Sequence, residues 1–253
     1  GPQYRVGSHR QFVLLARSLA AQGYSCLRFD YRGMGDADGE IRTFEHVQDD
    51  IRAAIDAFAQ AEPSLTHIVL WGLCDAASAA LMYAPQDDRV KGLVLLNPWV
   101  QQQQAQAQVV LKHYYWKRLR SKDFWRKLLS GGVAIFGALS GLKDNVKKAH
   151  SSTGGAQDLC SRLRTAWQMF RGNALVILSG DDLVAQEFIS ATAQQTEWQT
   201  ILQSDAVKRV DMPEANHTFS RQEWRNQVSE QTLDFLRSLE QEQNDQNQVD
   251  QDT

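Results

Sequence analysis

Short apolar runs alternate with amphipathic helical patterns along most of this chain, and that alternation limits its fold more than any other feature. The runs at 67–71 (HIVLW), 90–96 (VKGLVLL) and 174–179 (ALVILS) are typical of buried parallel strands. Runs at 25–31 (SCLRFDY) and 207–212 (VKRVDM) also predict strands. Helical patterns lie between them, at 11–22, 44–61, 185–203 and 222–239. This order predicts an α/β fold with a mostly parallel central sheet flanked by helices.

The domain organisation follows from where the alternation stops. Residues 101–172 are helical, basic and aromatic, and we interpret them as a helical cap inserted into the sheet fold. The core then comprises residues 1–100 and 173–239. Residues 240–253 are polar and acidic and have no aromatic side chain, which predicts a disordered tail.

Composition excludes several classes of protein. The 253 residues carry a net charge of −3, which gives no global reason to expect nucleic-acid binding. Three widely spaced cysteines without a CxxC pair argue against a disulfide framework or a structural zinc site, and they favour a reducing, cytoplasmic location. The longest uncharged apolar stretch, 128–142, is shorter than the roughly 20 residues that span a bilayer. The first residues, GPQYRVGSHR, lack the apolar segment of a signal peptide.

A strand, a tight turn and a small-residue helix surround Cys74. A nucleophile elbow lifts its reactive side chain on a strained turn, and small residues two positions away let strand and helix pack closely. Gly72 and Ala76 occupy those positions. The helix that follows favours a thiolate and directs backbone N–H groups toward a developing oxyanion. The alternative is that Cys74 is a buried core cysteine.

An acid and a histidine follow in the order that a catalytic triad of this kind requires. Asp181 and Asp182 come at the end of the 174–179 run, and His217 lies in a loop before the last helix. We favour Asp182 as the acid, with Asp181 as a competitor. A helix cap for the aspartate and a surface loop for His217 are the structural alternatives.

Several sequence blocks resemble one known family over nearly the whole chain: GPQYRVGSHRQF, LRFDYRGMGDADG, WGLCDAASAALMYAP, GLVLLNPWV, HYYWKRL, DFWRKLL, LSGDDLVAQEF and ANHTF. They resemble the α/β-hydrolase superfamily and, within it, the type 1 exosortase A system-associated hydrolases of bacterial exopolysaccharide systems. The resemblance implies an α/β-hydrolase fold, with Cys74, Asp182 and His217 as nucleophile, acid and base. The cysteine departs from the usual serine.

The same resemblance identifies GPQYR as the oxyanion loop that follows a first central strand, so N-terminal strands are expected to be missing from the sequence. It assigns the oxyanion donors to the backbone N–H groups of Gln3 and Asp75. It implies no metal and no organic cofactor.

The cap segment 111–150 has ten Lys/Arg and two Asp/Glu, a net charge of +8, which leaves −11 for the rest of the chain. Aromatic residues are interleaved with these basic ones. The simplest interpretation is a lid with its aromatics over the site. The alternative is contact with an anionic membrane surface or an acidic polysaccharide, with peripheral association at the inner membrane. Nucleic acid is the least favoured partner, because no nucleic-acid motif accompanies the segment.

The predicted function is a hydrolase that cleaves an ester or thioester of a small-molecule or polymer-linked acyl substrate through an acyl-cysteine. An acyltransferase with the same intermediate is one alternative. A non-catalytic scaffold in polysaccharide assembly is the other.

Overall fold

A parallel four-stranded sheet forms the centre of the protein. The computed structural model describes residues 4–100 and 158–251. In that part of the chain the strands are β1 Ile68–Leu73, β2 Val90–Leu96, β3 Asn173–Asp181 and β4 Val207–Asn216, and they lie side by side in sequence order. All three neighbouring pairs are parallel, so the carboxyl ends of the strands meet at one edge of the sheet.

Helices cover both faces of this sheet. In chain order they are α1 Gln11–Ala20, α2 Gln48–Ala61, α3 Asp75–Tyr83, α4 Leu159–Met169, α5 Leu183–Ala193, α6 Thr196–Leu202 and α7 Gln222–Gln251. The prediction of one helix over 185–203 is wrong, because the chain turns between α5 and α6. The turn brings Trp198 into the core, where its ring packs edge-on against Phe188.

The apolar strands divide their side chains between two hydrophobic clusters. Leu93 and Leu95 of β2 pack into one cluster with α2 to α6, whereas Val94 and Leu96 pack into the other with α7. This is the two-residue alternation of a strand whose two faces are both buried. It explains why the strand sequences are continuously apolar rather than alternating.

The predicted cap, 101–172, lies largely outside the described residues. Its last part contains α4, whose Cys160, Leu163 and Trp167 are buried in the same cluster as α3. The ring of Trp167 lies edge-on to that of Trp198, with 5.7 Å between ring centroids. Helix α4 therefore packs as a layer on the sheet domain.

Two other predictions differ from the structure. Residues 25–31 pair with no strand of the described ranges, and Cys26 and Leu27 are exposed, because an apolar run becomes a strand only beside a hydrogen-bonding neighbour. The tail predicted to be disordered from residue 240 is helical, since α7 continues to Gln251. Its sequence has no glycine or proline to end the helix, and the Tyr24 hydroxyl donates a 2.9 Å hydrogen bond to Glu240.

No helix within residues 4–100 and 158–251 has both the length and the apolar character needed to cross a membrane.

Candidate active site

Three of the predicted site residues each lie one position beyond a strand. Cys74 follows β1, Asp182 follows β3 and His217 follows β4. Because the strands are parallel, these positions converge at the carboxyl edge of the sheet, where α/β proteins generally bind ligands. The structure thus brings Cys74, Asp182 and His217 together.

Cys74 sits in a strained turn between β1 and α3. Its backbone has φ 62° and ψ −123°, a conformation that costs a side-chain-bearing residue about 1–3 kcal/mol. Its N–H donates a 2.8 Å hydrogen bond to the Leu96 carbonyl, and the residue is only 8% exposed. A Cβ on Gly72 would lie 2.6 Å from the backbone of Ala76, so this close approach of strand and helix requires glycine.

Asp182 contacts His217 and also caps α5. Its carboxylate oxygens accept hydrogen bonds from the backbone N–H groups of Val184 and Ala185, at 3.2 and 3.3 Å. Its Oδ2 lies 2.8 Å from His217 Nδ1. Asp182 is buried, whereas Asp181 is exposed. From the sequence, a helix cap and a contact with His217 are alternative roles for the aspartate. In the structure Asp182 has both.

The imidazole of His217 lies between two acidic groups. A hydrogen bond to Asp182, and secondarily one to Cys74, raises the pKa of His217 to about 10, although burial acts in the opposite direction. A turn fixes the loop below the ring, because the Asn216 amide donates a 2.7 Å hydrogen bond to Ser220. The contact with Asp182 therefore favours the protonated form of the ring.

The predicted oxyanion donors are only partly described. Gln3 lies outside the described residues. Asp75 is the first residue of α3, and its Oδ1 accepts a 2.9 Å hydrogen bond from the Ala76 N–H. Within residues 4–100 and 158–251, no cluster of His, Cys, Asp and Glu could hold a metal ion.

A cavity of about 960 Å³ runs along the outer edge of β1. Trp71 and aromatic residues of α1 and of the 25–31 segment line it, and Gly72, Asp75 and Ala76 lie at its border. Cys74, Asp182 and His217 are not among its lining residues in the described part of the chain. The cavity adjoins the elbow but does not contain the reactive side chains.

One residue at this edge of the sheet received no role in the sequence analysis. Asn97 directly follows β2 and is fully buried, and its side chain hydrogen bonds to the carbonyl of His217 at 3.3 Å. Its sequence context, Asn97-Pro98, suggests only a turn. The signal that could have identified it is its place one residue beyond a strand, which it shares with the other three.

Comparison with solved structures identifies the fold. A Pyrococcus furiosus esterase superposes with a TM-score of 0.57 at 16% identity, over 90% of this chain and 78% of that one. A monoacylglycerol lipase from Paleococcus ferrophilus also gives 0.57 at 14% identity, over 93% and 91%. Both similarities are to the fold, which is that of the α/β hydrolases.

Sequence comparison adds a relative and a family. A quorum-quenching protein, AidA, from Acinetobacter baumannii is 32% identical over 101 residues, which cover 37% of this chain and 33% of that protein. The chain thus spans about a third of the length of this curated relative. The sequence model of the family described as serine aminopeptidase, S33, matches residues 6–149, more than half of the chain. The chain therefore belongs to the serine aminopeptidase S33 family of α/β hydrolases.

Proposed function

We propose that this protein hydrolyses a carboxylic ester or thioester through an acyl intermediate on Cys74. The observation that carries the proposal is the hydrogen-bonded series Asp182–His217–Cys74, whose thiol stands on a strained turn at the start of a helix. A nucleophile, a base and a group that orients the base are the parts that acyl transfer requires. In this proposal a cysteine replaces the serine named in the family description.

In the acylation step the thiol proton of Cys74 passes to His217, and the sulfur acts as the nucleophile. The sulfur attacks the carbonyl carbon, and the electron pair of the carbonyl bond moves to its oxygen. The backbone N–H groups of Asp75 and Gln3 are the proposed donors that stabilise the oxyanion. When the tetrahedral intermediate collapses, His217 donates its proton to the departing alcohol or thiol, and the acyl group remains on Cys74.

Deacylation uses the same imidazole as a base. Acylation removes the interaction with Cys74, which is one cause of the raised pKa of His217, so the neutral ring is then favoured more than before. His217 takes a proton from water, the hydroxide oxygen attacks the thioester carbon, and the acid leaves as Cys74 sulfur departs. Asp182 holds Nδ1 throughout and so directs the other ring nitrogen toward the reacting atoms.

Turnover of a short-chain p-nitrophenyl ester tests the proposal. Wild type should release p-nitrophenol, and Cys74→Ala should lose at least about 1,000-fold in kcat because the covalent route is removed. Cys26→Ala is the matched control, since it removes an exposed thiol elsewhere and should retain wild-type turnover. Equal turnover by Cys74→Ala and wild type would contradict the proposal.

The same assay separates the two alternatives. If the acyl group passes to an added sugar or alcohol acceptor without appearing as free acid, the protein is an acyltransferase with the same intermediate. If wild type neither releases p-nitrophenol nor forms an adduct, a non-catalytic scaffold is the better interpretation.

We further propose a role in bacterial exopolysaccharide and exosortase systems, from the sequence blocks quoted above, with the protein in the cytoplasm and peripheral to the inner membrane. The basic segment 111–150 would contact anionic lipid or acidic polysaccharide. Co-sedimentation with phosphatidylglycerol vesicles should fall as salt is raised from about 0.1 to about 1 M, because salt screens surface charge. Phosphatidylcholine vesicles are the control, and equal binding to both would count against the role of charge.

A further inference from the structure

Asn97 completes a series at the carboxyl edge of the sheet. Each of the four strands is followed at once by a polar residue, and we call these four the strand-end residues: Cys74, Asn97, Asp182 and His217. The proposed chemistry uses three of them. Asn97 is 0% exposed, and a polar side chain buried this completely must satisfy its amide with internal partners.

Those partners are Ser179, on the strand that ends just before the proposed acid, and the backbone of the proposed base itself. The Asn97 Nδ2 donates hydrogen bonds to Ser179 Oγ at 2.7 Å and to the His217 carbonyl at 3.3 Å. Its Oδ1 accepts a 2.9 Å hydrogen bond from the Ser179 N–H. A backbone N–H can only donate, so this last bond establishes which end of the amide is oxygen. Both N–H bonds of the Asn97 amide therefore have acceptors, one in β3 and the other in the loop after β4.

The backbone around Asn97 extends these connections to the proposed nucleophile. The Asn97 N–H donates to the Ile177 carbonyl at 3.0 Å, and the Trp99 N–H donates to the Cys74 carbonyl at 3.3 Å. Asn97 itself has φ 45°, a left-handed conformation that asparagine adopts more readily than most residues. The short segment after β2 thus touches the backbone of Cys74 on one side and of His217 on the other.

We propose that Asn97 is a positioning residue for His217: its amide holds the His217 carbonyl and so keeps the imidazole in line with Cys74 and Asp182. The inference rests on the proposed function, because it assigns Asn97 to the same reaction. Without the amide, the loop loses a buried donor, and its backbone can shift. A displacement of about 1 Å in a catalytic group can reduce the rate about 100-fold.

Asn97→Gly is the principal test, because glycine accepts the left-handed backbone and removes the amide together with its CH₂ group. Thr192→Ala is the control, since it also removes a buried hydrogen bond, from a hydroxyl to the Phe188 carbonyl on α5. We expect Asn97→Gly to lower kcat for the p-nitrophenyl ester about 10- to 100-fold with little change in KM. The control should retain kcat to within about twofold at a comparable loss of stability.

A second readout is independent of turnover. The ring signals of His217, followed by NMR as a function of pH, should show a lower pKa in Asn97→Gly than in wild type, because the ring no longer sits squarely against Asp182. Asn97→Ala, which also removes the amide and adds no charge beside His217, should lower the His217 pKa and kcat in the same direction if the glycine variant does not fold.

The outcomes are distinct. A lowered His217 pKa in the Asn97 variants supports the proposal, even if wild type has no ester turnover and the proposed function fails. Unchanged His217 titration in a folded Asn97 variant overturns it, whatever the turnover of wild type. Equal losses of kcat in Asn97→Gly and Thr192→Ala overturn it as well, because the effect would then be one of general stability.

Discussion

The two sides of the sheet domain are held in different ways. At the strand ends, backbone and amide hydrogen bonds join neighbouring elements. The strand β2, which leads to this edge, is buried along its whole length except for Lys91. On the other side, which we call the outer flank (residues 24–46), Cys26 and Leu27 are exposed and ion pairs make the connections. Val69, Leu70 and Trp71 belong to β1, the strand at this edge of the sheet, and are only half-buried.

The difference shows what a regular ladder contributes. Where each strand has a parallel neighbour, the position of its last residue is determined, and reactive side chains can be placed to within a hydrogen-bond length. On the outer flank the Asp30 carboxylate instead accepts hydrogen bonds from the backbone N–H groups of Arg5 and Asp36, at 2.6 and 3.2 Å. On the outer flank, hydrogen bonds and ion pairs of charged side chains connect the segments that a ladder of backbone hydrogen bonds connects at the strand ends.

The largest difference in the free energy of unfolding should come from one glycine-to-alanine substitution on each side. A Cβ on Gly180 would overlap the backbone of Pro213, so Gly180→Ala should lower the free energy of unfolding by about 3 kcal/mol or more. Gly23 of the chain leading into the outer flank has φ 94° and nothing within 4 Å of its Cβ position. Gly23→Ala should cost only about 1 kcal/mol, from backbone strain. Urea unfolding measures both, and equal losses would remove the contrast.

A second prediction concerns the ion pairs of the outer flank. The Asp30 side chain is 1% exposed and also pairs with the Arg5 guanidinium, which is 34% exposed. Asp30→Ala should lower the free energy of unfolding by about 2 kcal/mol, less than for a fully buried pair because solvent reaches the arginine. Asp36→Ala, whose side chain is 62% exposed, should cost much less than Asp30→Ala because solvent screens this pair. If the two variants were equally stable, Asp30 would not be the residue that holds the flank.

The smallest effect is expected from pH at the strand ends. The pKa of His217 in the folded protein, about 10, lies above its ordinary value of 6.5, chiefly because of Asp182. The protonated His217 beside Asp182 therefore stabilises the folded protein fully below pH about 6.5, and this stabilisation is lost as the pH rises through about 10. Asp182→Asn keeps a residue that caps α5 well but removes the charge.

We expect the variant to be less stable than wild type at pH 7 by about 1 kcal/mol, since the ring is one-third exposed and solvent screens the pair. The difference should shrink toward pH 10. Urea unfolding at several pH values measures it, and parallel stability curves for the two proteins would contradict the assigned cause.

The strand ends were also the part that sequence could predict. The prediction of 90–96 as a strand matches β2 to the residue, because a continuous apolar run between two other such runs has partners on both sides. The run at 25–31 is only partly apolar and has no neighbouring strand in the described ranges, and a single-sequence pattern carries no information about neighbours. Cys74, Asp182 and His217 could be predicted because each follows a recognisable strand. Asn97 also follows a recognisable strand, but its hydrogen bonds join it to atoms far away in the sequence, and a sequence pattern does not show those bonds.

The most direct test of an acyl intermediate on Cys74 is to find which residue carries the acyl group. The protein is mixed with a short-chain p-nitrophenyl ester and quenched in acid, and the modified peptide is identified by mass. Cys26 is exposed, so accessibility alone would favour an adduct there. Partial burial of its sulfur nevertheless raises the pKa of the Cys26 thiol, and burial also raises the pKa of the Cys160 thiol. We predict an adduct on the buried Cys74 that is lost in His217→Ala. An adduct on Cys26, or one on Cys74 that persists unchanged in His217→Ala, would contradict it.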